Sequence, residues 1–417
     1  MNQRALPYGR QWIDDEDVKA VLACLRDDNL TQGPRVEQFE AALCEATGAS
    51  HAAVVSNGTA ALHLATLALG LGPGDVGITS PVTFVASANA IRYAGGRVAL
   101  ADVDPATGLI APQSVEALVP QLRAQGLRPR LLIPVDFAGQ PADLPALNAL
   151  ARANDMRLLQ DAAHSLGATL DVDGQACRIA GHSLADATIL SFHPVKHITT
   201  GEGGALLSPH ADVHGRVQDL RSHGIHKRTG EFARSVDEAY VGPWYYEQAR
   251  LGFNYRLPDL NCSLGLSQLA KLERFVQRRR ALAAAYDSAL SQESFKSWLE
   301  PLAQIPDRRS SYHLYVVRLL PTKGESLLGL AQRRKDLFLS LHAAGILAQV
   351  HYIPVHWQPE QRDAILPEGG LPGADLFYAS CLSLPMFPAM TDADVDLVIA
   401  ALVKGRPPAV RPVPGRS

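Results

Sequence analysis

The sequence predicts an α/β fold, in which a large, mostly parallel sheet carries helices on both faces and a smaller C-terminal α/β unit follows. Two observations carry this expectation. From about residue 52 to 208, short apolar runs alternate with amphipathic stretches, as parallel strands joined by crossover helices do. After GFNYRLPDL (252–260) the texture changes to one long helical pattern, SLGLSQLAKLERFVQRRRALAAAYDSAL, with apolar positions recurring at three and four residues. The 417 residues also exceed the ~250–300 at which a single core stops growing, so two domains are expected.

The elements follow in order. AAVV (52–55) precedes the helix-like TAALHLATLALGL, and RVALADV (97–103), RLLIPVDF (130–137), RLLQD (157–161) and ATILSF (187–192) continue the strand series, with ALLS (205–208) last. In such sheets the loops at the carboxyl ends of strands open into a crevice, and Ser56, Asp161 and the segment around Ser191 fall at such ends. In the smaller unit, YHLYVVRL and ILAQVHYI read as strands, with KDLFLSLHAAG as a helix between them. The large domain is placed at residues 10–255 and the small one at 256–405; residues 1–9 are expected near the site, and the Pro- and Arg-rich residues 406–417 as a disordered tail.

Composition narrows the function classes. A net charge of −3 offers no basic surplus for nucleic acid. No segment approaches the ~20 uninterrupted apolar residues of a membrane span and the N-terminus lacks an apolar signal core, so a cytoplasmic location is expected. Cys24, Cys44, Cys177, Cys262 and Cys381 are scattered without CxxC spacing, which suggests buried thiols rather than a zinc site or a disulfide framework.

Four segments carry chemistry. Lys196, in SFHPVKHITTGEGG (191–204), supplies an amine able to form a Schiff base with the aldehyde of pyridoxal 5'-phosphate; taken alone it also fits a surface lysine in a glycine turn. The glycines of GEGG (201–204) can adopt positive φ and let that loop fold tightly beside a ligand. SNGTAALHLA (56–65) sets a small polar turn before a helix, where a phosphate can meet free N–H groups with help from the Ser56 or Thr59 hydroxyl, and Gly58 allows close backbone approach; a plain N-cap explains the same residues. Asp161 ends a strand where a carboxylate can hold a cofactor ring nitrogen protonated, although an N-cap aspartate fits as well. His164, three residues on, can pack near the ring, orient Asp161 or serve only the structure. Phe84, in SPVTFVASANA (80–90), can stack on a flat cofactor or pack in the core.

A phosphate cradle, a stacking ring, a carboxylate and an amine in this chain order are those of a fold-type I pyridoxal phosphate enzyme. From Leu6 to about Leu402 the chain resembles the sugar aminotransferases of the DegT/StrS type, on LTQGP, SNGTAALHLA, SPVTFVASAN, QDAAHSLGA, SFHPVKHITTGEGG, RSHGI, GFNYRLPDLNCSLGLSQL and GILAQVHYIPVH. The resemblance implies that Lys196 is the Schiff-base lysine and Asp161 the partner of the pyridine nitrogen. It places Gly58, Thr59 and Ser191 at the cofactor phosphate and pocket. It implies that Asn254, in GFNYR, reaches the phosphate of a neighbouring subunit, so that a homodimer completes the site. Tyr8, the stretch Asp28, Asn29, Leu30 and Thr31, and the stretch His351, Tyr352, Ile353 and Pro354 match nucleotide-sugar contacts, to which Gly58, Ser191 and Asn254 also belong.

Within the family the motifs are most similar to members that aminate UDP-4-keto-6-deoxy-N-acetyl-β-L-altrosamine from L-glutamate in pseudaminic acid biosynthesis. Other sugar 3- or 4-aminotransferases, of the perosamine or bacillosamine type, and a catalytically silent protein of the same fold are the alternatives. Related sugar 3-dehydratases carry histidine in place of the lysine, so Lys196 counts against them. The chain departs from the family at Gln160, where many relatives have Glu, and at Gly77, where an aliphatic residue is usual and whose absence is expected to loosen the start of that strand.

Overall fold

In the computed structural model, the described residues are 5–180, 182–227, 232 and 240–407. Residues 408–417 of the expected tail and residues 1–4 lie outside them. The central sheet has seven strands in the order His51–Val55, Gly204–Ser208, Ala187–Ser191, Arg157–Asp161, Arg128–Ile133, Asp75–Thr79 and Arg97–Leu100. Gly204–Ser208 runs antiparallel to both neighbours and every other pairing is parallel. Buried runs such as AVV and LLQD suit a sheet with both faces covered. One face packs on the helices Gly58–Ala68 and Ala86–Tyr93, and the other on Pro34–Thr47 at one end and on Pro112–Ala124 and Leu144–Ala153 at the other.

The register of Asp75–Thr79 against Arg128–Ile133 shifts between Val76 and Gly77, so the start of the strand is irregular where Gly77 enters it, although the space beside it is filled. Gly77 is buried, and a Cβ there would fall 2.6 Å from Ile91 Cδ1 and Cγ1, so Ile91 already fills the space of the missing side chain.

The long helical run is two helices, Asp259–Leu269 and Leu272–Leu290. The break sits at Lys271, whose amine turns to Asp14 Oδ1 at 2.6 Å and Asp17 Oδ1 at 2.7 Å. Charge pairing at the start of the chain thus interrupts a periodicity that looked continuous. Beyond it, Leu299–Pro301, Tyr315–Leu319 and Cys381–Leu384 form an antiparallel three-stranded sheet backed by Leu272–Leu290, Leu327–Ala343 and Asp392–Lys404. ILAQVHYI is not one strand. Ile346–Leu347 pairs in parallel with Leu6–Pro7, Gln349 makes a single antiparallel bridge to Ser383 of Cys381–Leu384, and the chain then turns toward the crevice. The five cysteines are free thiols, but Cys44 and Cys177 are only half-buried. Among the described residues no helix is long and apolar enough to cross a membrane.

Candidate active site

The carboxyl ends of the strands open on a cavity of about 690 Å³. Ten of the residues singled out above line it: Tyr8, Gly58, Thr59, Phe84, Asp161, His164, Ser191, Lys196, His351 and Tyr352.

The strand His51–Val55 turns into the helix Gly58–Ala68 through Asn57, whose backbone is extended. Asn57, rather than Ser56 or Thr59, is the N-cap: its side chain accepts the Ala60 N–H at 2.8 Å. The first N–H groups of the helix, at Gly58 and Thr59, face no acceptor within it, which leaves the positive end of the helix open to an anion. Two glycines bring this turn against the lysine segment. A Cβ on Gly58 would lie 3.0 Å from Ser191 Cβ, and one on Gly204 would lie 2.6 Å from the Asn57 carbonyl carbon and oxygen. Of the GEGG glycines only Gly201 has positive φ, at 80°. Gly203 and Gly204 are needed for close approach instead.

Lys196 sits on a loop closed at its base by the Phe192 N–H donating to Gly203 O at 2.8 Å and the Thr200 N–H to Phe192 O at 3.0 Å. Burial pushes its amine down to about 8, with the Asp161 charge pulling the other way. The amine therefore has an appreciable neutral fraction near neutral pH. Asp161 closes its strand with Oδ2 accepting from Ser87 Oγ at 2.7 Å and Oδ1 from the Ala163 N–H at 3.2 Å. Burial raises its carboxyl, while these two donors and Lys196 hold it down.

Burial holds the His164 imidazole far below its usual range. Its Nε2 meets the Tyr352 hydroxyl at 3.1 Å, its ring lies 4.3 Å from that of His313, and its buried Nδ1 has no partner. Phe84 is no core residue: it is 59% exposed, at the mouth of the cavity. His351 anchors its loop through Nδ1 to Ser383 Oγ at 2.8 Å, and burial pushes it down to about 3.

The remaining expected residues are not brought together in one chain. Ser56 is not among the lining residues, and its N–H donates to Tyr255 O at 2.8 Å. Asn254 bridges Ser222 in backbone pairing outside the cavity lining. Asp28, Asn29, Leu30 and Thr31 are exposed on the surface, Ile353 points outward and Pro354 is buried beside it. Sequence reading missed Thr83, Ser87, His63 and Tyr93. His63 was accessible from helical spacing, since it follows Thr59 by one turn and so shares its face.

An amine partly neutral near pH 7, a buried carboxylate near it and a helix start with open N–H groups together suit a ligand bearing an aldehyde, a ring nitrogen and a phosphate. The profile of the DegT/DnrJ/EryC1/StrS aminotransferase family matches residues 11–403. The spore coat polysaccharide biosynthesis protein SpsC of Bacillus subtilis is 36% identical over 405 residues, 96% of this chain and 97% of that protein. The UDP-4-amino-4,6-dideoxy-N-acetyl-beta-L-altrosamine transaminase of Campylobacter jejuni is 36% identical over 394 residues, 94% of this chain and 95% of that one. The structure of Helicobacter pylori PseC, an aminotransferase involved in pseudaminic acid biosynthesis, superposes with a TM-score of 0.83 at 29% identity, covering 97% of this chain and 99% of that one.

Proposed function

The chain belongs to the DegT/DnrJ/EryC1/StrS aminotransferase family, and on that premise we propose that it moves the amino group of L-glutamate to the 4-keto carbon of UDP-4-keto-6-deoxy-N-acetyl-β-L-altrosamine. It is a pyridoxal phosphate-dependent sugar aminotransferase. When bound, that cofactor supplies the aldehyde that carries the amino group and a ring that accepts electrons.

The observation that supports the assignment of roles is the meeting of Lys196, Asp161 and the start of Gly58–Ala68 in one cavity. Lys196 Nζ would hold the cofactor and, once displaced, take and return the proton at the reacting carbon in each half-reaction. Asp161 would keep the ring nitrogen protonated. The N–H groups of Gly58 and Thr59, with Ser191 beside them, would hold the phosphate, and Phe84 and His164 would border the ring. Tyr8, His351 and Tyr352 would meet the sugar. A homodimer is supported by what one chain leaves outside its own cavity: Asn254, the exposed stretch Asp28 to Thr31, and the outward Trp244, Tyr246 and Leu251, which are 71%, 54% and 83% exposed. In a dimer, Asn254 of a second copy would complete the phosphate site.

Equal identity to SpsC favours a second reading, in which the acceptor is another keto sugar nucleotide. Purified protein incubated with glutamate and a panel of UDP- and dTDP-keto sugars, with products identified by NMR, decides between them. The proposal expects amination of the L-altro-configured UDP sugar. Amination of only D-configured sugars selects the second reading. Borohydride reduction followed by mass spectrometry is expected to place a pyridoxyl group on Lys196, and its absence there would overturn the assignment of the amine.

A further inference from the structure

The Asp161 carboxylate does not stand alone. Ser87, fully buried in the first turn of Ala86–Tyr93, donates through Oγ to Asp161 Oδ2 at 2.7 Å. The hydroxyl has one proton, and a carboxylate can only accept, so that proton is committed to Asp161. The 2.8 Å contact between Thr83 Oγ1 and Ser87 Oγ must then run from Thr83 to Ser87. Two hydroxyls thus form a directed chain from the cavity wall, which Thr83 lines, to the oxygen of the carboxylate. We propose that Ser87, supported by Thr83, is a positioning residue that keeps Asp161 charged and aimed while the reaction runs. This rests on the assignment of Asp161 to the cofactor ring nitrogen.

The geometry distinguishes this from ordinary satisfaction of a buried serine. Ser87 is the second residue of its helix, where a hydroxyl commonly bonds within its own turn, yet its proton goes across to a residue 74 positions away. Thr83 and Ser87 stand four residues apart, on one side of the turn that enters the helix. Three groups oppose the burial of Asp161: the Ser87 hydroxyl, the Ala163 N–H and the charge on Lys196. The third disappears whenever the amine is neutral, which its role as nucleophile and base requires. The Ala163 N–H is the longer of the two hydrogen bonds that remain, at 3.2 Å against 2.7 Å. When the carboxylate faces the ring nitrogen, the Ser87 hydroxyl is the closest donor that the chain itself gives it.

The test uses holoenzyme reconstituted with pyridoxal phosphate labelled with nitrogen-15 in the ring, in the wild type, Ser87→Ala and Thr83→Val. Losing a hydrogen bond to a charged group is expected to weaken cofactor binding by about tenfold or more in Ser87→Ala. The ring-nitrogen resonance is expected to move toward the unprotonated position. Thr83→Val, close to isosteric, is expected to shift both readouts in the same direction by a smaller amount. A purely structural role would lower stability while leaving the resonance of the folded fraction where it is in the wild type. An unmoved resonance with unchanged affinity in folded Ser87→Ala overturns the proposal. If that variant does not fold, Thr83→Val decides alone by the same criterion. Wild-type protein that takes up no label overturns the pocket assignment and this inference together, whereas labelled wild type matched by an unshifted variant overturns this inference alone.

Discussion

The Gln160 carboxamide donates a 2.7 Å hydrogen bond to the Asp136 carboxylate, with both side chains fully shut away from solvent. Gln160 directly precedes Asp161 and points to the opposite face of the strand, as successive strand residues do. Asp136 also accepts from Ser165 Oγ and from the Ala142 N–H. Even so, burial pushes its carboxyl up to about 7. The neutral amide at 160 joins the Ser165 hydroxyl and the Ala142 N–H in holding that carboxyl down against burial.

Gln160→Glu would bring two buried carboxyl groups to that same separation, and they cannot both carry charge. The folded variant keeps a proton that the unfolded chain, with ordinary carboxyl values near ~4, releases. The wild type keeps its own proton on Asp136 up to about 7, so the two proteins lose stability in parallel below that value and the deficit of the variant opens above it, by about 1.4 kcal/mol per pH unit. Melting curves are expected to show a nearly constant difference from the wild type between pH ~5 and pH ~7 and a growing deficit toward pH ~9. A deficit independent of pH would show that the pair shares no proton.

Lys271 carries a second buried pairing. Its amine lies between Asp14 and the fully buried Asp17, which also accepts from Ser267 Oγ and Gln268 Nε2, each at 2.7 Å. Lys271→Met removes the cation and leaves the Asp17 charge uncompensated, a loss of about 3–5 kcal/mol by the usual cost of breaking a buried pair. The urea midpoint is expected to drop, and Lys271→Met combined with Asp17→Asn is expected to recover part of it. No recovery in the double variant would place the loss in packing instead.

The Lys196 amine gives a pH dependence of known sign. Its value is lowered by burial to about 8, so the neutral, nucleophilic form grows about tenfold per pH unit below that value and saturates above it. The rate at which cofactor-free protein captures pyridoxal phosphate, followed by absorbance, is expected to climb from pH ~6 and level off above pH ~8. A rate that keeps climbing to pH ~10 would mean that the amine titrates as an exposed lysine.

The large sheet was legible because its strands are short apolar runs between amphipathic helices, and because Asp161 and Ser191 end theirs where the loops of such a sheet open into a crevice. The small unit was less so. ILAQVHYI has strand composition, but only a single bridge, Gln349 to Ser383, follows Ile346–Leu347; His351 then fixes on the Ser383 hydroxyl and lines the cavity, a tertiary demand that leaves no local trace. The helix break at Lys271 escaped notice for the same reason, since its partners lie some 250 residues away in the chain. Ser87 was hidden because its partner is remote as well. Asn254 and the stretch Asp28 to Thr31 could be placed only by resemblance, because a single chain gives them no cavity to line.

The contact of Gly204 with Asn57 allows a last prediction, about which glycine guards the phosphate end. A methyl group on Gly204 would meet backbone, the Asn57 carbonyl at 2.6 Å and the Gly58 nitrogen at 2.7 Å, neither of which can rotate away. The start of Gly58–Ala68 would have to move off its strand, and with it the N–H groups offered to the phosphate. On Gly58 the methyl would meet a side chain, Ser191 Cβ at 3.0 Å and Oγ at 3.3 Å, and a shift of a few tenths of an ångström suffices. Alanine also loses less backbone freedom than glycine on entering the helix, which offsets part of that strain. Gly204→Ala is therefore expected to weaken pyridoxal phosphate binding by about tenfold or more, as displaced site geometry does. Gly58→Ala is expected to cost less in affinity and little in thermal stability. Fluorescence titration of both variants checks the order, and the reverse order would mean that free space beside Ser191, rather than the position of the helix start, controls the phosphate site.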